Sequence, residues 1–312
     1  MRRALFTLVL SLTAPGLQAN GVTGADVLQS HPSARAAALG DAYVALGDEL
    51  NALTFNPAGL AALRGPSLGF MHHVGVATVS TEHFAYGHPL GFGTVAGSLL
   101  YRSQADIANP LASDAPVTAF DVVLSLAFAT RPSKWFHDLP GPLADADAGL
   151  SLKYIRSHLS RYDADGVAVD LGIRAPIGEG LEGAISVLNL GPPIKFIDVG
   201  DPLPGALLVG VSRAFDPFKD NHLNLAVDAE APFYSVFRAH AGIEDWLGKA
   251  FAVRVGYVVD AQQSLGGLSG GFGLKLDQEG LLFLFDYAYK PFYYDGFNSF
   301  EPQHLFQMSL GF

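Results

Sequence analysis

Residues Phe251-Ala252-Val253-Arg254-Val255-Gly256-Tyr257-Val258-Val259-Asp260 decide how this chain is read. Phe251, Val253, Val255, Tyr257 and Val259 alternate with Ala252, Arg254, Gly256, Val258 and Asp260. Successive side chains on a strand point to opposite faces, so the pattern separates a greasy face from a mostly small or charged one. The same separation returns at Leu281, Phe283, Phe285, Tyr287 and Tyr289 against Leu282, Leu284, Asp286, Ala288 and Lys290. It returns again at Val167, Val169, Leu171 and Ile173 against Ala168, Asp170, Gly172 and Arg174. In a soluble sandwich the apolar face meets a core. In a membrane barrel it meets lipid, and the polar face lines the lumen.

Composition favours the barrel. Charged residues make up 16% of the 312 residues and hydrophobic ones 49%, against about 25% charged in a soluble domain. Beyond the N-terminus no window is apolar enough to be a spanning helix, which needs ~20 residues. The apolar residues are therefore spread along alternating strands, in keeping with 35 glycines, 22 phenylalanines and 11 tyrosines. Without cysteine, the chain has no lipid-anchored N-terminus, disulfide framework or Cys-based metal site. A net charge of −11 argues against nucleic-acid binding, which needs a basic face.

Fourteen alternating segments are expected, at about 67–76, 80–89, 93–103, 119–131, 146–158, 163–176, 182–191, 205–215, 222–231, 237–246, 249–260, 267–277, 281–291 and 302–312. Most reach the ~9–11 residues of a tilted membrane strand, and the number is even. With both ends in the periplasm, odd-to-even connections face outward and are expected to be long. Connections 104–118, 192–204 and 292–301 are long, whereas 177–181, 247–248 and 278–280 are short. Connection 132–145, with Trp135 and Phe136, is long on the periplasmic side and is expected to fold against the rim.

The ends carry their own signals. Residues 1–19 read as a signal peptide: Arg2 and Arg3, then an apolar run from Ala4 to Leu12, then Leu17-Gln18-Ala19 before Asn20. Its removal leaves 17 basic against 30 acidic side chains, a charge of about −13. Residues 20–66 do not alternate and suggest a hatch inside a barrel that occupies 67–312. In this hatch Asn56 is expected to cap a helical turn with Pro57 at its first position. The ending Phe306-Gln307-Met308-Ser309-Leu310-Gly311-Phe312 is similar to the terminal strand of outer-membrane barrels, which implies handling by the barrel-assembly machinery.

The run Ser33-Ala34-Arg35 through Leu39-Gly40-Asp41-Ala42-Tyr43-Val44-Ala45, followed by Asn56-Pro57-Ala58-Gly59-Leu60, resembles the PorV/PorQ group, related to FadL-type fatty-acid transporters. Asn189-Leu190-Gly191, Leu203-Pro204, Arg254-Val255-Gly256-Tyr257 and Asp286-Tyr287-Ala288-Tyr289 extend the resemblance over nearly the whole mature chain. Leu39 and Asp41 stand where the family often has methionine and a second glycine. The resemblance implies an all-β, fourteen-stranded transmembrane barrel with an N-terminal hatch in the bacterial outer membrane. It implies two possible functions: passage of hydrophobic small molecules, or a non-transporting partnership in type IX secretion or surface attachment. Partners would then be outer-membrane lipid, a hydrophobic ligand or secretion-system proteins.

Three groups of residues are candidates for function. Lys153, Asp170, Arg174, Asp228, Glu230, Arg238, Glu244, Arg254, Lys275, Asp286 and Lys290 are expected to face the lumen, as a polar path or as a lattice of ion pairs. The lattice is favoured, because a charge beside a low-dielectric wall must be paired. Asn56, Pro57, Ala58 and Gly59 either shape a movable hatch or simply stop it fraying. Phe292, Tyr293, Tyr294, Phe297 and Phe300 are expected at the outer mouth, collecting a lipophilic ligand or forming an interfacial girdle. No enzyme is expected. Gly267-Leu268-Ser269-Gly270-Gly271 matches the nucleophile-elbow spacing but begins an alternating strand instead of a strand-turn-helix. His72 and His73 are adjacent and point to opposite faces, so they cannot share a metal. No metal or cofactor is expected.

Overall fold

The computed structural model describes residues 23–107, 117–136, 139, 144–218, 220–260, 267–294 and 299–312. The proposed signal peptide lies outside them. Fourteen antiparallel strands close into a barrel, and the β1–β16 pairing completes the ring. The barrel strands are β1 (Ser67–Val74), β2 (Val79–Leu90), β3 (Gly93–Ile107), β4 (Val117–Thr130), β5 (Asp147–Leu159), β6 (Tyr162–Gly178) and β7 (Leu181–Leu190). After them come β10 (Ala206–Phe215), β11 (Asn221–Pro232), β12 (Arg238–Leu247), β13 (Phe251–Asp260), β14 (Gly267–Gln278), β15 (Leu281–Tyr294) and β16 (Ser299–Gly311). The two-residue strands β8 (Ile194–Lys195) and β9 (Gly200–Asp201) form a separate hairpin, so β7 pairs directly with β10. The fourteen expected segments thus exist, with bounds that shift by a few residues.

Alternation decides which face looks out. Along β5, Leu150, Leu152, Tyr154 and Arg156 are exposed, while Ser151, Lys153, Ile155 and Ser157 are buried. Leu126 on β4 and Met308 on β16 are 71% and 62% exposed. An exterior of this kind needs an apolar solvent. A bilayer supplies one, and the closed ring leaves no unpaired strand edge within it. No helix among the described residues is long and apolar enough to span a membrane; the strands do so instead.

Both ends of the barrel sequence, Ser67 and Gly311, are paired at one rim. In an outer-membrane barrel this rim is periplasmic. It carries the tight turn between β14 and β15, where Glu279 and Gly280 both take the left-handed conformation (φ 53° and 87°) of a two-residue hairpin. The long β4–β5 connection is on this rim too. As expected, it folds back: Trp135 Nε1 donates to Thr130 Oγ1 at 3.3 Å, and its ring meets Phe92 edge-on. The opposite rim is less uniform than expected, since β1–β2 and β5–β6 are joined there by short turns.

The hatch fills the lumen. It runs from a 3-10 turn (Asp26–Gln29) through α1 (Ala34–Ala38) and two more 3-10 segments (Leu50–Thr54 and Pro57–Ala62) into β1. Ser33 caps α1, its Oγ accepting from Ala36 N–H at 3.1 Å. Asn56 caps the last segment, its Oδ1 accepting from Ala58 N–H at 3.1 Å, with Pro57 at the first position. Leu50, Leu53 and Leu60 pack on Ala85, Ala96, Ala127 and Ala129 of the wall. On the other side Ala34, Ala37 and Ala38 pack on Met71, Ala288 and Leu305.

Leu152→Arg places a charge on the lipid-facing band. In barrels folded into lipid vesicles and titrated with guanidinium, it is expected to cost ~2–4 kcal/mol. A water-facing site would shift by no more than about 0.5 kcal/mol.

Candidate functional site: the hatch, its rivets and the chamber above it

A short, irregular segment inside a barrel leaves many backbone groups unpaired, and with water largely excluded the wall must satisfy them. The inward charges do this. Asp228 Oδ2 accepts from both Tyr43 N–H (2.5 Å) and Val44 N–H (2.8 Å). Arg174 Nη1 donates to Gly47 O at 2.8 Å. Gln307 Oε1 accepts from Ala34 N–H at 2.9 Å, and Ser269 Oγ accepts from Gly40 N–H at 3.1 Å. Asn56 Nδ2 donates to Val44 O and to Ile173 O of β6, both at 3.2 Å. Asn56 therefore caps a turn and also ties the hatch to itself and to the wall.

A buried chain of charges forms the centre. Arg35 of α1 donates from Nε and Nη2 to the two Glu244 oxygens at 2.8 and 2.7 Å. Glu244 also accepts from Arg254 Nε at 2.6 Å, and Arg254 Nη1 reaches Asp286 at 2.6 Å. On the hatch side Asp48 and Glu49 lie 3.2 and 3.6 Å from the Arg35 guanidinium. Each charge of this chain has an opposite partner, as low dielectric requires. Lys153 pairs with Asp170 at 2.7 Å, Arg238 with Glu230 at 3.1 Å, and Lys290 with Asp41 at 2.6 Å. Arg35–Glu244 and Lys290–Asp41 join the hatch to the wall, whereas Lys153–Asp170, Arg238–Glu230, Arg254–Glu244 and Arg254–Asp286 join one strand to another. Lys275 stands apart, half-buried and in no ion pair among the described residues.

Glycines let the two surfaces touch. A Cβ on Gly256 or Gly242 would meet Leu39–Gly40, and one on Gly172 or Gly149 would meet Asn56–Pro57–Ala58. The hatch is thus seated directly on the wall at both of its motifs. Asp41 takes a strained backbone conformation. Its φ is 65°, in the left-handed region where glycine is unstrained. Aspartate tolerates this region better than most residues, and here it gains the Lys290 ion pair. Burial opposes the charged Asp41, but the Lys290 ammonium outweighs it and holds the carboxyl below the ordinary carboxylate range.

Above α1, towards the outer rim, lies a cavity of about 280 Å³. Phe55, Leu208 and Val258 supply apolar wall; His31, Asp41, Glu230, Arg238, His240 and Lys290 supply polar wall. A second cavity of about 170 Å³ adjoins it and shares Gln29, His31, Asp41, Lys290 and Gln303. His240 Nδ1 sits 2.8 Å from Gly40 O and its Nε2 3.2 Å from Glu230 Oε2. Burial pushes the His31 imidazole towards its neutral form, where it stacks on Phe55 at 4.4 Å. Phe292, Tyr293 and Tyr294 extend β15 opposite Glu301, Phe300 and Ser299. Their side chains and that of Phe300, and all of Phe297, lie outside the described residues. His240, Ser269 and Gln307 escaped the sequence reading as functional residues: the period of two turns them inward, but nothing in it says that a hatch backbone waits for them.

Gly256→Ala should leave the barrel folded while lifting the hatch from its seat, seen as faster amide exchange at 39–44 with unchanged strand exchange. The Asp41–Lys290 tie has a depressed carboxylate, so its stabilisation is present above the ordinary carboxylate range and is lost as pH falls through the lowered value. Hatch exchange in Asp41→Gly should therefore exceed that of the parent at neutral pH and converge with it once the pH falls below the lowered Asp41 value. Asp41→Ala should be worse than Asp41→Gly by about 1 kcal/mol, the cost of a left-handed alanine.

No family model and no curated protein matches the chain. Solved structures do. The toluene transporter TbuX of Ralstonia pickettii aligns with a TM-score of 0.59 at 11% identity, over 95% of this chain and 98% of that one. The monoaromatic hydrocarbon channel CymD aligns with a TM-score of 0.61 at 12% identity, over 95% and 99%. A FadL homologue of Pseudomonas aeruginosa aligns with a TM-score of 0.51 at 8% identity, over 86% and 95%. At such identities the likeness is one of fold: this chain shares the barrel fold of these solved transporters and channels.

Proposed function

We propose that the chain is a passage for small hydrophobic molecules across the bacterial outer membrane. The observation that carries this reading is the chamber above α1. It is enclosed by the barrel, walled in part by Phe55, Leu208 and Val258, and floored by a hatch held through side-chain ties. A cavity of about 150 Å³ already holds benzene, so about 280 Å³ suits a molecule built on one aromatic ring. The structural relatives include a toluene transporter and a monoaromatic hydrocarbon channel, which supports the same substrate class. A solute enters from the outer rim, rests in the chamber and leaves when the hatch yields. Because the glycine contacts close the wall around Asn56, the exit requires the hatch to move as a body.

A second reading is a non-transporting partner in type IX secretion or surface attachment. One observation favours it: the hatch is tied to the wall at many points around its circumference, as a permanent plug would be. The two readings diverge in a flux assay. In vesicles carrying the protein, toluene uptake should exceed that of empty vesicles, and Val258→Trp, which fills the chamber, should reduce it at least ~10-fold with assembly intact. Asn56→Ala, which frees the hatch from Ile173, should change uptake without preventing assembly. Uptake equal to that of empty vesicles would sink the passage and leave the partner reading.

A further inference from the structure

The motifs Asn189-Leu190-Gly191 and Leu203-Pro204 bracket the outer loop 191–205, and the functions above leave them unused. In the structure this loop turns inward. Ile194 of β8 is fully buried with Ala25, Val27 and Leu28 of the hatch, Leu203 of the loop, and Leu100, Val123, Ile155, Ala164 and Ala168 of the wall. Phe196 packs against the same cluster, whereas Ile197 and Val199 at the hairpin tip are exposed. Gly24 N–H donates to Pro202 O at 3.0 Å, fastening the start of the hatch to the loop.

Asn189 holds both. It takes the left-handed conformation (φ 60°) at a bulge where the β6–β7 register shifts between Val169 and Leu171. Its N–H leaves the sheet and donates to Asp170 Oδ1 at 2.7 Å. Its Oδ1 accepts from Lys153 Nζ at 2.8 Å. Its Nδ2 faces two carbonyls, Pro204 O of the loop at 3.0 Å and Leu28 O of the hatch at 3.5 Å. The buried Lys153–Asp170 pair orients one amide, and that amide bonds the loop and the hatch together.

We infer that the loop 191–205 is a lid keyed to the hatch through Asn189, so that lifting the lid and freeing the Asp26–Gln29 turn are one event. Gln29 ends that turn and lines both cavities, so releasing it enlarges the chamber towards the outer rim. The inference rests on the passage proposed above for its consequence, but its geometry is independent of the solute. A hatch tied only to strands would move without the lid. A hatch tied to Pro202 and, through Asn189, to Pro204 moves with it.

The chain lacks cysteine, so an engineered disulfide is clean. A Cβ built on Gly166 lies 3.8 Å from Ile194 Cβ with nothing closer than 3.5 Å, a spacing typical of disulfides. In Gly166→Cys/Ile194→Cys, oxidation pins the lid to β6. Amide exchange at 27–30 should then slow about tenfold or more, and toluene uptake should fall to that of empty vesicles; reduction should restore both. Asn189→Gly keeps the backbone conformation but removes the key, and exchange at 27–30 should accelerate about tenfold. Equal exchange at 27–30 in oxidised, reduced and Asn189→Gly proteins would overturn the keyed lid. Equal uptake in oxidised and reduced protein, above that of empty vesicles in both, would overturn it too. Absence of uptake in the parent and in the reduced variant would overturn the passage reading instead, with the exchange result still deciding the lid.

Discussion

Hydrocarbon offers a backbone no hydrogen-bond partner, and every other feature of this protein follows from that constraint. Fourteen strands meet it by closing β1 onto β16. Closure sends alternate side chains outward, where only apolar and aromatic groups are tolerated, and inward, where polar groups are sheltered. The lumen then becomes the one place where charge can be concentrated, and here it is used to hold a second piece of chain. The hatch has too little regular structure to satisfy its own backbone. Asp228, Arg174, Gln307, Ser269 and Asn189 do it instead.

This division of labour explains why the charges are paired yet releasable. The Arg35–Glu244–Arg254–Asp286 chain is fully buried, so removing one member leaves its partner uncompensated, at a cost of about 3–5 kcal/mol. The Asp41–Lys290 tie is more open, with Lys290 about one-third exposed, and contributes less. The hatch is therefore anchored firmly on its Arg35 side and more lightly where α1 borders the two cavities.

The barrel was legible because its rule is local. Period two over ten residues marks a strand whatever it packs against, and Val79–Leu90 or Phe251–Asp260 lie within two residues of their expected bounds. The Asn56-Pro57 cap was legible for the same reason. The partners of the inward charges were not, since Arg35 and Glu244 are 209 residues apart and only closure brings them together. The inward fold of 191–205 was hidden as well. Its two large buried residues, Ile194 and Leu203, sit among Pro, Gly and Asp and read as exposed loop. The role of Asp41 depends on its φ angle, which no sequence pattern carries.

The central claim is that the chamber above the hatch holds a small lipophile. The most direct measurement is native mass spectrometry of the barrel extracted gently from outer membranes, with bound small molecules and co-purifying proteins identified in the same sample. The account predicts one small lipophile per barrel and no stoichiometric protein partner. An empty barrel carrying a translocon subunit or secreted cargo would contradict it.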